Sequence, residues 1–329
     1  MTLGSSLANQ TENPALIMPK AAKSLILDLA NTGQRLFAVG WRGHILISED
    51  DGQTWQQVET PTRSMLTSIF FKDKLHGWAV GHDAVILSTK DGGESWKLLS
   101  SAPEEERPLF DVIVTGNYGF AIGAYAKLMT TSDGGKSWKD SEFVIQKSVE
   151  EANQSLDEEE SLPFDFHLNA IALSKTGALY IAAESGYLFR SDDNGETWKE
   201  LPSPYGGSFF GILPLENETL LAYGLRGNVF RSENKGENWA QIETGTCALL
   251  TDAARLADGT IVITGMAGVL LISSDGGLSF TMQQPDRISL TSAISTEADT
   301  LVVAGERGFK TISKTLYQAA PQPTPLNNQ

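Results

Sequence analysis

One pattern recurs six times along the chain and constrains the fold more than any other feature. A small hydroxyl residue is followed two positions on by Asp, then by Gly, then by a second hydroxyl and an aromatic. The copies are SEDDGQTW ending at Trp55, TKDGGESW at Trp96, TSDGGKSW at Trp138, SDDNGETW at Trp198, SENKGENW at Trp239 and SSDGGLSF at Phe280. Their aromatic residues lie 41, 42, 60, 41 and 41 residues apart. Upstream of each box sits a tight turn of the form G-x-x-G or a close variant: GWRG from Gly40, GHDA from Gly81, GAYA from Gly123, AESG from Ala183, GLRG from Gly224 and GMAG from Gly265. A seventh, GERG from Gly305, has no box after it.

Between these landmarks each unit supplies about four short runs rich in Val, Ile, Leu, Thr and aromatics, bounded by Gly, Asp, Asn and Ser. The second unit shows them best as MLTSIFF, GWAVG, AVILST and SWKLLS. Four strands per unit of about 41 residues is the signature of propeller blades, which bury their faces against one another and close into a ring. The expected fold is all-β, a single seven-bladed β-propeller with Asp-box turns. The seventh unit lacks a fourth strand, and the apolar run Ala15–Met18 precedes the first unit, so the last blade is expected to be closed by an N-terminal strand. Residues 1–12 read as a leader, 13–316 as the propeller and 317–329 as a flexible Pro- and Asn-rich tail. The 60-residue interval places an insertion at 141–165. There Ile145, Val149, Ala152 and Leu156 would form one apolar stripe on a helix, beside an acidic stretch. Two readings stand for it, a solvated surface helix or a partner-docking element.

A formal net charge of −16 argues against nucleic acid, whose binding rests on Lys and Arg neutralising phosphates. No apolar run reaches the roughly 18 residues a membrane-spanning helix needs. Ser6 and Ala8 stand where a signal-peptidase site has small residues, which points to an exported, periplasmic protein whose signal was trimmed; an ordinary N-terminus is the alternative. Cys247, the one cysteine, falls in the apolar run CALLTDAA and is expected to be a buried thiol.

The tandem boxes resemble the BNR/Asp-box superfamily, which includes sialidases and other glycoside hydrolases. The runs GWAVGHDAVILSTKDGGESW and AYGLRGNVFRSENKGENW, in a chain with seven units, resemble more closely the photosystem II stability/assembly factor family and its relatives in non-photosynthetic bacteria. That resemblance covers roughly residues 23–315 and implies a protein-docking propeller.

The boxes themselves read as structural, since Asp and hydroxyl side chains cap turns and Gly supplies positive φ. A binding site is expected on the opposite face, formed by the G-x-x-G turns and the connections between blades. Six of the ten arginines map there: Arg42, Arg63, Arg107, Arg226, Arg287 and Arg307, with Trp41 and His82 beside them. Guanidinium favours bidentate carboxylates and aromatic stacking, so these residues could bind an acidic peptide or an anionic ligand. They could equally pair with Asp83, Glu184, Glu306 and Glu104–Glu106 at the rim.

The enzyme alternative is a glycoside hydrolase or carbohydrate-binding propeller. Hydrolysis would need two carboxylates facing one another at roughly 5 to 10 Å, and Asp83 with Glu184 is the one pair to nominate. Only Arg287-Ile288-Ser289 approaches the Arg-Ile-Pro motif of sialidases, which have six blades. His44, His76, His82 and His167 lack metal-ligand spacing. The reading is therefore a monomeric, non-enzymatic, extracytoplasmic scaffold without cofactor or metal, which docks an envelope or membrane protein complex.

Overall fold

The computed structural model describes residues 13–146, 165–296 and 300–313. They form seven antiparallel sheets, six of four strands and a last one of three. The first strands of the blades are Ile26–Asn31, Leu66–Phe71, Leu109–Thr115, Leu168–Leu173, Phe209–Pro214, Leu250–Arg255 and Leu290–Ser295. Each touches the first strands of both neighbouring blades, the seventh returning to the first, so these strands encircle the axis of a closed ring. The second strands Leu36–Gly40 and Gly77–Gly81 are buried along their whole length because blades cover both faces. No described helix is long and apolar enough to cross a membrane.

The Asp boxes join the third strand to the fourth. In the box of blade six, Asp275 accepts bonds from the hydroxyls of Ser273 and Ser279 at 2.7 and 2.6 Å and from the N–H groups of Leu278 and Ser279 at 3.0 Å. The box of blade five keeps this turn with Asn234, which accepts the Asn238 N–H at 2.9 Å, as expected from an amide oxygen in the same place. The box glycines also let blades approach one another. A Cβ on Gly93 would lie 2.3 Å from the Phe37 ring of the preceding blade, and one on Gly195 would lie 2.3 Å from Phe120.

The other set of turns obeys an equally regular rule. The first turn residue donates its N–H to the carbonyl just ahead of the blade's own first strand: Trp41 to Leu25, His82 to Met65, Ala124 to Pro108, Glu184 to His167, Leu225 to Ser208, Met266 to Leu249 and Glu306 to Ser289, at 2.8–3.2 Å. The glycine before it is needed for the close approach, since a Cβ on Gly81 would lie 2.1 Å from the Met65 carbonyl oxygen. Blade four has Ala183 there, in an ordinary extended conformation at φ −138°.

Ring closure differs from the expected N-terminal strand. Ala15 donates its N–H to the Thr60 carbonyl at 3.0 Å, and the Gln57 side chain bonds the Leu16 carbonyl and the Met18 N–H. Ala15–Met18 therefore lies along the outer edge of blade one, and among the described residues the last blade has three strands. The physical reason lies in the segment after Met18. The turn Ala21–Lys23 occupies the place that interblade connections occupy elsewhere, so a Cβ on Gly308 would meet the Ala22 carbonyl at 2.0 Å, as one on Gly43 would meet Thr62 at 2.1 Å. Ala21, Ile26, Leu29, Val302 and Ala304 bury one another across this seam, and Trp55 stacks on Phe309 at 3.8 Å. Face-to-face packing of blades seven and one closes the ring.

The insertion leaves a second mark. Ile145 is extended and bridges to Trp198, so it does not begin a helical stripe; Val149, Ala152 and Leu156 lie outside the described residues. Phe143 stacks on the fully buried Trp198 at 5.5 Å, with Phe166 and Phe189 completing an aromatic plug between blades three and four.

Candidate functional site

The turns between second and third strands stand at the end of the ring opposite the boxes. In blades one to six they share one conformation, with a left-handed middle residue: Arg42, Asp83, Tyr125, Ser185, Arg226 and Ala267 have φ of 53° to 59°. Most residue types avoid this region at a cost of roughly 1 kcal/mol, and here it turns the middle side chain outward. Trp41, Arg42, Tyr125, Ser185, Arg226, Met266 and Ala267 are exposed, and so are Glu306 and Arg307 in the tighter seventh turn.

The six arginines expected to form a site divide into two groups. Arg63 and Arg107, on the connections out of blades one and two, are tied to backbone: Arg63 Nε donates to the Pro14 carbonyl at 2.8 Å, and Arg107 Nη2 to the Tyr125 carbonyl at 2.7 Å. Arg107 is half-buried. Arg42, Arg226, Arg287 and Arg307 are exposed and make no ion pair among the described residues. Arg42 lies over the Trp41 ring at 4.5 Å, a cation–π contact in which both partners stay open to solvent. The free guanidiniums thus trace the ring from blade five through seven to one. His82, in blade two, is half-buried.

Of the rim carboxylates that might have neutralised these arginines, Glu104, Glu106 and Glu306 are exposed and form no ion pair with them among the described residues, and the others have other partners. Asp83 accepts the Ser64 hydroxyl at 2.5 Å, Glu105 pairs with the buried Lys127 at 2.5 Å, and Glu184 lies 3.1 Å from His167 Nδ1 and accepts the His167 N–H. Asp286 pairs with Lys310 at 2.8 Å and also feels the charge of Arg307; the Lys310 bond holds its carboxyl below the usual range. Asp83 and Glu184, the pair nominated for hydrolysis, are each held within their own blade.

Blades three and four give the same face a different character. Tyr125 meets the edge of His167 at 4.9 Å, and Phe110 stacks against that imidazole at 5.7 Å. Beside the free arginines, Arg226 lines a surface hollow of about 360 Å³ with Gln241, Glu243 and Thr246. Cys247 also lines it and is exposed, which corrects the expected buried thiol. The apolar run that suggested burial begins one strand later, where Leu250 enters the first strand of blade six, and Cys247 belongs to the connection ahead of it. His44, next to Arg42, is buried; burial, and then the Arg42 charge, hold its pKa below the usual imidazole value.

A second group of polar residues escaped the reading of the sequence. Asp28, Asp111 and Asp252 each stand third in a first strand and bond across to the next blade. The signal was present in ILDLAN, LFDVIVT and LTDAAR, an acid at one fixed place in strands that are otherwise apolar, with Ser at that place in LTSIFF and LTSAIS.

Sequence comparison with known proteins points to one family. The family model for photosynthesis system II assembly factor YCF48 matches residues 53–148 and 106–277, together more than half of the chain. The photosystem II stability/assembly factor HCF136 of Cyanidioschyzon merolae is 50% identical over 48 residues, 14% of this chain and 11% of that protein. The photosystem II assembly lipoprotein Ycf48 of Trichormus variabilis is 38% identical over 60 residues, 18% of each chain. These alignments therefore cover well under a quarter of the relatives' own lengths. A solved structure described as YCF48 bound to D1 peptide superposes with a TM-score of 0.68 at 19% identity, over 93% of this chain and 97% of that one, and so shares its fold. The chain belongs to the photosystem II assembly factor YCF48 family.

Proposed function

We propose that this propeller is a non-enzymatic, extracytoplasmic assembly scaffold that docks an acidic segment of an envelope or membrane protein on its arginine-bearing face. The observation that carries the reading is the state of Arg42, Arg226, Arg287 and Arg307. On a chain of net charge −16 they are exposed and unpaired among the described residues, and Trp41 and Met266 stand open beside them. Arginine and aromatic side chains in this setting are the usual anchors of protein interfaces. The relative solved with D1 peptide supports a peptide as the occupant, and the lipoprotein relative supports export. Arg63 and Arg107 shape the rim of this surface through their backbone bonds, and His82 flanks it.

The test is capture of partners from native membranes by the wild-type protein and by the triple variant Arg42→Ala, Arg226→Ala and Arg307→Ala. The scaffold reading expects a specific partner whose capture weakens as salt rises and is lost in the variant. A triple variant that retains every partner would move the docking site elsewhere.

A further inference from the structure

The axis of the ring carries carboxyls that the docking face does not use. The third residue of each first strand is Asp28, Ser68, Asp111, Ala170, Gly211, Asp252 and Ser292 in blades one to seven. Each aspartate joins two blades. Asp28 accepts the N–H of Leu29 at 2.7 Å and of Ile69 in blade two at 2.9 Å. Asp111 does the same for Val112 and Ile171, and Asp252 for Ala253 and Ala293. In blade five, Gly211 has no side chain, and the Tyr223 ring and hydroxyl fill the space beside it.

Ser292, in the three-stranded last blade, lies between two of these acids. Its hydroxyl oxygen is 2.7 Å from Asp252 Oδ2 and 3.2 Å from Asp28 Oδ1. A serine hydroxyl has a single proton to donate. If both acids were ionised, one of these contacts would set lone pair against lone pair. The shorter distance assigns the serine proton to Asp252, so the contact with Asp28 becomes a hydrogen bond when Asp28 itself carries a proton and donates it to Ser292 Oγ.

We propose that the chain Asp28–Ser292–Asp252 is a proton-dependent latch linking blades one, seven and six where the ring closes, made when Asp28 donates a proton to Ser292. The titratable groups that face Asp28 are Asp252 and Asp111, and Tyr223 feels all three acids. Burial first, and then the Asp252 charge, raise Asp28 to about 7 against the pull of the Ile69 and Leu29 bonds. Burial raises Asp111 to about 6.

A raised folded value fixes the sign of the linkage. The latch contributes its full stability below the unfolded value near 3.8 and loses it as pH rises through about 7. His44, held low, works the other way and is destabilising as pH falls through the ordinary imidazole range. The readout is therefore the difference between wild type and Asp28→Asn, measured as thermal midpoints from pH 5.5 to 8.5. Asn donates permanently to Ser292, and any lost Leu29 bond shifts the variant equally at every pH. The midpoint of Asp28→Asn relative to wild type should climb by roughly 4 °C across that range; a constant difference would overturn the latch. Independently of any variant's folding, carboxyl-carbon NMR of wild-type protein labelled at aspartate should show a side chain titrating near 7 in addition to the Asp111 titration near 6. Midpoints below pH 5 for every aspartate would refute the proposal.

Discussion

At one end of the ring, the Asp or Asn side chain of each box is used within its own turn. Asp275 is used by two hydroxyls and two backbone N–H groups, and the box aromatic Trp198 is wholly buried. At the other end the backbone is just as regular, with seven equivalent bonds to the carbonyls ahead of the first strands. Some of the side chains there stay free: Trp41 is 48% exposed and Arg42, Arg226, Arg287 and Arg307 have no ion-pair partner among the described residues. The repeated residues at both ends build the blades. Function can be carried by positions where the backbone repeats and the side chain does not, because folding places little demand on them.

The comparison can be broken by substitution. Trp198→Ala empties the aromatic plug between blades three and four and should cost about 4 kcal/mol, read as a lower denaturant midpoint. Asp275→Ala leaves two N–H groups and two hydroxyls without their acceptor and should cost about 2 kcal/mol. Asp275→Asn should cost less than half of that, since Asn234 sustains the same turn in blade five. Because the Ser279 and Ser273 hydroxyls and nearby N–H groups hold Asp275 below the usual carboxylate range despite its burial, its contribution is present above pH 4 and lost as pH falls further. This acid-side loss lies well clear of the neutral window of the Asp28 latch.

Gly81→Ala should cost about 2 kcal/mol through contact with the Met65 carbonyl, whereas Ala183→Gly, at the matching place in blade four, should cost under about 1 kcal/mol. Trp41→Ala and the triple arginine variant should change stability by less than about 0.5 kcal/mol each while abolishing capture of the partner. Should the arginine variant unfold the protein, the contrast between the two ends would fail.

Blade number and box placement were legible because each depends on local patterns, the G-x-x-G turn and the D-x-G-x-[ST]-W box, whose chemistry is complete within eight residues. The arginine face came from topology, since every second-to-third-strand turn must emerge at one end. What was not legible depends on contacts distant in sequence. Ala15–Met18 is apolar enough for a strand, yet its place was decided by the Gln57 side chain and by the turn at Ala21, which fills the connection site beneath Gly308. Which arginines stay free depended on Pro14 and Tyr125 lying beside Arg63 and Arg107. The axial acids escaped because each lies alone in its own strand and acquires its partners from the next blade.

The central claim is that the free-arginine end is the docking end. Hydrogen–deuterium exchange of the propeller, with and without its captured partner, tests it most directly. Protection concentrated at the turns of Trp41–Arg42, Arg226 and Arg307 and at the connection bearing Arg287, with the box turns unchanged, is the predicted result. Protection centred on the Asp boxes, with those four arginines exchanging as in the free protein, would contradict it.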